Sequence, residues 1–294
     1  MEKFTIHNIE SLCNIKAHTL RVWEKRYNIM QPDRKKSKHR LYSNNDLKFL
    51  LRLSFLYHKG IKISKIASLS PEEFKQLTQK SNDTTEQYLL FINDLIDASI
   101  DFNENSFEAI FENAIKLVGL ENTMRHIIYP YFEKIGLLWM NDAAIPAQEH
   151  FSSNIIRNKL IFAIDTIKKT AQSKGPTILL FSPEEEFHEI PLLFICFLLL
   201  QNNWKVTYFS TNVTRQMLEY YCTNKPVDFI YMHPITNLTR YNINQYTKQL
   251  LQALPHQQLL ISGPLVKHIH YQHNNLKLLL SAEALSLFIK TASL

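Results

Sequence analysis

Two groups of residues in this 294-residue chain have types and spacings that could do chemistry. The first is cationic and lies near the start. In Thr19-Leu20-Arg21-Val22-Trp23-Glu24-Lys25-Arg26-Tyr27, Arg21 and Lys25 stand one helical turn apart on one face. Lys16, His18, Thr19 and Arg26 extend that face, and a basic run follows with Arg34, Lys35, Lys36, Lys38 and Arg40 ahead of Tyr42. A helix so decorated suits a major groove, where polar side chains meet base edges. A basic loop beside it would neutralise phosphates and fix register. A charge run is usually only a solvated face. Here it coincides with a helix-turn-helix pattern, which makes DNA the expected partner.

The second group lies further along. Trp139 is followed by Glu149-His150, and Glu186 is followed by His188. Each member also has an ordinary reading: Trp139 as helix-bundle core, Glu149-His150 as a polar helix start, His188 as a cap on a helix beginning at Pro191. The chain has no Gly-rich phosphate loop and no Ser/His/Asp arrangement. Cys13, Cys196 and Cys222 lie far apart, in neither metal nor redox spacing. No catalytic constellation is expected, and Glu184-Glu185-Glu186 reads as a solvated loop run.

These groups need elements to position them. Thr5 to Leu12 reads as a short helix capped by Thr5, with Ile6, Ile9 and Leu12 inward. A turn through Asn14 to Lys16 leads to a helix over 17–27 that buries Leu20, Trp23 and Tyr27. Residues 31–42 suit a β-hairpin wing, Ser43 to Asp46 cap a third helix, and Ser70-Pro71-Glu72-Glu73 opens another. Over 77–170 the pattern is of long amphipathic helices, at 84–99, 106–118, 121–139 and 147–171, which predicts a four-helix bundle. From 176 onward, strands at 177–181, 205–209, 228–232, 258–262 and 276–281 alternate with helices. That alternation predicts a doubly wound parallel sheet. The expected architecture is a multidomain chain: an α winged helix-turn-helix over 1–76, a four-helix bundle over 77–172, and an α/β flavodoxin-like (Rossmann-type) parallel sheet over 176–294.

Charge supports the division. Residues 1–70 carry a net +10 and the remainder a net −4, so only the first module calls for a polyanion. The longest apolar run, Pro191 to Leu200, is about half a membrane span, and the first residues lack a secretory pattern. A cytoplasmic protein without a membrane partner is expected. Glycine is scarce, at five residues.

The segment Thr19 to Tyr27, with Pro32, Arg34, Arg40-Leu41-Tyr42-Ser43, Asp46-Leu47 and Gly60, resembles the N-terminal domain of the MerR superfamily. The match covers nearly all of 3–70, with Lys38 standing where the wing turn usually has Gly. It implies dimeric binding to an inverted-repeat promoter operator in double-stranded DNA. The second group resembles the cobalamin-binding module of light-sensing CarH/LitR-type repressors. There, Trp and Glu-His on a helical bundle cover the upper face of adenosylcobalamin, and a (Glu/Asp)-x-His-x-x-Gly loop gives a lower axial histidine to cobalt. Carried over, Trp139, Glu149 and His150 form the cap, and His188, its tautomer fixed by Glu186, is the cobalt ligand. The small residues that admit the nucleotide tail are replaced: Pro191 for Gly, Ser210 for Gly, His233-Pro234-Ile235 for Ser-x-Leu, and Ser262-Gly263 for Gly-Gly. Three readings follow. One is a regulator, in the sense of a repressor, that senses adenosylcobalamin and light as a homodimer or homotetramer. Another is a cofactor-independent regulator whose degenerate pocket binds itself or an antirepressor protein. The third, a cobalamin-dependent methyltransferase component, is disfavoured by the basic N-terminal module.

Overall fold

The computed structural model describes residues 4–34, 40–79, 81, 83–140, 146–170, 174–236 and 242–292. Chain contacts divide it into two compact units, Met1–Ile155 and Ile156–Leu294.

The first unit opens with β1 (Phe4–Thr5) and α1 (Ile6–Cys13). Thr5 and Asn8 satisfy each other's backbone amides in a capping box, and Ile6, Ile9 and Leu12 are buried as expected. Asn14, at φ 52°, ends this helix and lets the chain turn sharply into α2 (Ala17–Tyr27). Leu20 and Trp23 are buried, Trp23 with its ring edge-on to Tyr57 at 4.8 Å; Tyr27 is only half-buried. Strands β2 (Asp33–Arg34) and β3 (Arg40–Tyr42) form the antiparallel wing, with β3 pairing β1 on its other edge. Lys35, Lys36 and Lys38 lie outside the described residues, as does the side chain of Arg34.

A second capping box, Ser43 with Asp46, starts α3 (Asn44–His58). Gly60, at φ 90°, leads to the short α4 (Ile63–Ile66), and Ser70 with Glu73 caps α5 (Pro71–Leu77). Then come the bundle helices α6 (Thr84–Ile100), α7 (Glu104–Thr123), a π-helical turn over Met124–Ile128, α8 (Tyr129–Met140) and α9 (Pro146–Thr170), within which the division between the units falls. Gly119 breaks α7 at φ 79°, a conformation costly for other residues. The break falls between the helices expected over 106–118 and 121–139, and the second of these continues through the π turn to Met140. Arg52 on α3 reaches Asp94 and Asp97 on α6 at 3.0 and 2.8 Å, tying the helix-turn-helix to the bundle.

The second unit holds the sheet: β4 (Thr177–Leu180), α10 (Glu189–Gln201), β5 (Lys205–Tyr208), α11 (Arg215–Asn224), β6 (Phe229–Met232), α12 (Ile243–Ala253), β7 (Gln258–Ile261), a 3₁₀ turn over Pro264–His268, β8 (Leu276–Leu278) and α13 (Ala282–Thr291). Strand order is β5-β4-β6-β7-β8 and every pairing is parallel, the flavodoxin-like order anticipated from the alternation. Its core gathers Leu179, Phe181, Ile230, Met232, Leu259 and Ile261 from the strands with Leu218, Ile243 and Leu250 from the helices. Leu192 to Leu200 on α10 are buried without a break, as expected for a helix apolar all round. Order reverses between β4 and β6, and the loops beyond the carboxyl ends of β4, β6 and β7 converge there. Among the described residues, no helix is long and apolar enough to cross a membrane.

Candidate functional site

The N-terminal face is built on α2. Arg21, Lys25 and Arg26 are exposed, with Arg26 over the Tyr27 ring at 5.4 Å. Lys16 is exposed and 3.6 Å from Glu10, while His18 and Thr19 contact each other at 3.3 Å. Arg21, Lys25 and Val22 line one side of a groove of about 590 Å³, and Pro32, Gln31 and Arg40 line the other. The groove thus runs between helix and wing.

What holds the two walls together is Glu24. Its carboxylate, almost fully buried, accepts from Arg40 Nε at 2.6 Å and from the Tyr42 hydroxyl at 2.6 Å. Burial and the adjacent carboxylate push the Tyr42 hydroxyl pKa far up, so it stays a donor at all working pH values. Arg40, expected at the phosphates, and Tyr42, expected to contact DNA, both bond Glu24, and Trp23, also expected to contact DNA, is packed in the core. These three position the face. Sequence reasoning missed Glu24, whose partners are 16 and 18 residues away, and missed Val22, an apolar residue next to Arg21 that the structure leaves half exposed.

In the second unit Glu186, Glu189, Ser210, His233, Ser262 and Gly263 meet at the carboxyl ends of the strands. Glu186 is fully buried. One oxygen accepts from the backbone N–H of His188 at 3.0 Å and from its Nδ1 at 2.6 Å. The other accepts from the N–H of Ile235 and Thr236 at 2.8 and 2.9 Å and from the Thr236 hydroxyl at 3.1 Å. Burial alone would raise its pKa; the His188 bonds and the loop amides overrule burial and hold it at about 2. Because a carboxylate only accepts, His188 carries its proton on Nδ1 when neutral, which leaves the lone pair on Nε2. The His188 side chain is about half exposed and occupies the N-cap position of α10 without making a side-chain cap. Glu189, unforeseen in the sequence, accepts from Arg157 Nε at 2.5 Å, Ser210 Oγ at 2.7 Å and Tyr208 hydroxyl at 2.9 Å. Burial opposes ionisation there too, and these donors keep the pKa below the usual value. Ser210 has φ 64°, the left-handed conformation for which the resembled family uses glycine.

His233 lies over the last position of the crevice. Its Nδ1 is 2.7 Å from Ser262 Oγ, which is 2.5 Å from the buried Tyr231 hydroxyl. A Cβ added to Gly263, at φ 97°, would sit 2.9 Å from the Pro234 carbonyl oxygen and 3.1 Å from the His233 ring. The ring therefore covers the backbone of Gly263 directly. Burial lowers the His233 pKa to about 4, against a smaller upward pull from Glu186, so the ring is neutral at pH 7. A corrinoid has two demands here. The Nδ1-protonated His188 on a buried carboxylate suits a cobalt axial ligand. The Gly263 backbone, however, is covered by an imidazole bonded to Ser262, and the residues present do not fit a nucleotide tail inserted there.

Glu149 and His150, in the first turn of α9, belong to the first unit; both are substantially exposed and 3.8 Å apart. Trp139 falls on α8, its side chain outside the described residues. Among the described residues no group of three or more His, Cys, Asp or Glu gathers to hold a metal ion.

A basic helix locked to a wing, followed by a helical bundle and a parallel sheet, is the architecture of a winged helix-turn-helix module carrying a bundle-and-sheet body. Residues 4–73 match the MerR HTH family of regulatory proteins, and residues 91–162 match the B12 binding domain. Over those two stretches the chain is similar to MerR-type transcriptional regulators and to B12 binding domains. It is 22% identical over 258 residues to the HTH-type transcriptional repressor CarH of Myxococcus xanthus, covering 86% of this chain and 85% of that protein. It is also 22% identical over 227 residues to the repressor CarA of the same organism, covering 76% and 74%. The HTH-type transcriptional regulator MlrA of Escherichia coli (strain K12) is 28% identical over 92 residues, 31% of this chain and 38% of that one. In fold, the chain is similar to the monomethylamine corrinoid protein of Methanosarcina barkeri, with TM-score 0.50, 13% identity, and coverage of 66% of this chain and 94% of that one.

Proposed function

We propose that this chain represses transcription by binding an inverted-repeat promoter operator as a cytoplasmic homodimer or homotetramer, and that it is no enzyme. The division into a DNA-binding domain at 1–76, a bundle at 77–172 and a sheet domain at 176–294 serves that arrangement. The observation that carries the reading is the exposed Arg21/Lys25 face of α2, set against the wing by Glu24. Lys16, His18, Thr19 and Arg26 flank it, and Arg34, Lys35, Lys36 and Lys38 extend it to the phosphates. Gel-shift titration against the DNA upstream of its own operon is the test. Retarded DNA with wild type and a large loss in Arg21→Ala supports the proposal; no retarded DNA, or an Arg21→Ala variant that binds like wild type, overturns it.

For the body, two readings each have an observation behind them. The Glu186–His188 pair supports adenosylcobalamin as ligand, with His188 on cobalt and Trp139, Glu149 and His150 above the ring. The His233 ring over Gly263 supports a cofactor-independent body used for self-association or for an antirepressor protein. Incubation with adenosylcobalamin in the dark, desalting, and a visible spectrum separate them: retained corrinoid absorbance that His188→Ala abolishes belongs to the first, its absence to the second.

A further inference from the structure

The crevice at the reversal of strand order is where a sheet of this order takes a ligand, and here protein atoms close it twice. Glu186 stitches the loop after β4 to the loop after β6 through the amides of Ile235 and Thr236. Beyond that stitch, the imidazole of His233, bonded to Ser262, lies on the bare backbone of Gly263. The first closure leaves the His188 side chain half exposed; the second covers the Gly263 backbone.

We propose that His233 is a specificity-determining residue that excludes a nucleotide tail from this crevice, so that the domain discriminates against tailed corrinoids and in favour of tailless ones. The inference rests on the corrinoid reading of the body and deepens it. The His188 and His233 rings are held by different groups, the first by Glu186 Oε1 and the second by Ser262 and Tyr231, although Glu186 Oε2 also anchors the loop that carries His233. A ring held on one side by a hydroxyl and lying on the other against a glycine backbone can swing away only by giving up its bond to the buried Ser262. The exclusion is therefore steric and built in, independent of the axial ligand.

The test uses the full chain and two probes, hydroxocobalamin, which has the nucleotide tail, and diaquacobinamide, which lacks it. Affinity is read by visible absorbance during titration. The wild type is expected to hold cobinamide more tightly than cobalamin. His233→Ser combined with Ser262→Gly is expected to raise cobalamin affinity on the order of 100-fold, the scale on which a pocket responds to added or removed bulk, with cobinamide affinity unchanged. His233→Phe keeps the slot filled without the Ser262 bond, and its preference for cobinamide should match wild type; loss of that preference overturns the steric argument. Wild type binding cobalamin as tightly as cobinamide overturns the proposal, as does an opened variant that gains equally for both or for neither. If neither probe binds any variant, the corrinoid reading itself falls. If cobinamide binds through His188 while opening brings no gain for cobalamin, only the gate falls. Circular dichroism of each variant confirms that the fold is kept.

Discussion

Glu24 and Glu186 are both buried carboxylates that collect donors, in two regions with different tasks. Glu24 joins two regular elements, α2 and β3, through the side chains of Arg40 and Tyr42. Glu186 joins loops, mostly through backbone amides, and aims a histidine. The first makes a rigid display whose working residues, Arg21 and Lys25, touch neither Glu24 nor its partners by any ion pair described above. The second places its working residue in direct contact with the carboxylate. Mutations should therefore separate display from support in the N-terminal region, and should not separate them at Glu186.

The largest expected effect is on the display. Arg21→Ala should weaken operator binding by about 1–3 kcal/mol, and combined with Lys25→Ala by roughly 100-fold or more, measured by gel shift at fixed salt. Thermal melting of these variants should be unchanged. Glu24→Ala should behave in the opposite way at first: stability falls by about 3 kcal/mol because Arg40 loses its partner, and DNA binding weakens as a consequence. A Glu24→Ala protein that melts like wild type would show that helix and wing are held by something else.

The sheet crevice gives a pH signature. The folded-state pKa of His233 is about 4, below the ordinary 6.5. A histidine so depressed favours folding while neutral, so its contribution is full above about pH 6.5 and is lost as pH falls toward 4. The loss should amount to about 2 kcal/mol, at 1.36 kcal/mol per unit with allowance for partial exposure. His233→Asn should flatten the stability profile between pH 6.5 and 4; a profile as steep as wild type would place the titrating group elsewhere. The smallest effect is expected at Ser210. Glycine there would relieve about 1 kcal/mol of left-handed strain and lose a Glu189 hydrogen bond of about the same size, for a net change near zero. In a Glu189→Gln background the relief should emerge as a gain in melting temperature.

Most of the architecture could be read from local signals. The capping boxes at Thr5, Ser43 and Ser70 are complete within four residues, and each starts the helix expected from it. The strands were legible as short apolar runs, with four of the five expected ends overshooting by one to three residues and the end at Met232 met. The helix expected to begin at Pro191 begins at Glu189, because proline is tolerated within a first turn. The sites were less legible. His188 and Glu186 are near neighbours, so their pairing could be anticipated, whereas Glu24 with Arg40 and Glu189 with Arg157 are contacts made only by the fold. The substitution at His233 was visible, but its consequence depends on β6 lying beside β7.

The scarcity of glycine has an effect apart from any ligand. Of the seven non-glycine residues in the left-handed region among the described residues, four are asparagines, Asn14, Asn28, Asn203 and Asn212, the first two flanking α2. Asparagine reaches that conformation at modest cost, and its side chain limits the disordered chain more than glycine would. Fewer conformations are then surrendered when these corners form. The ends of α1 and α2 are thus set partly by what the unfolded ensemble is denied, a contribution that no contact in the folded protein displays.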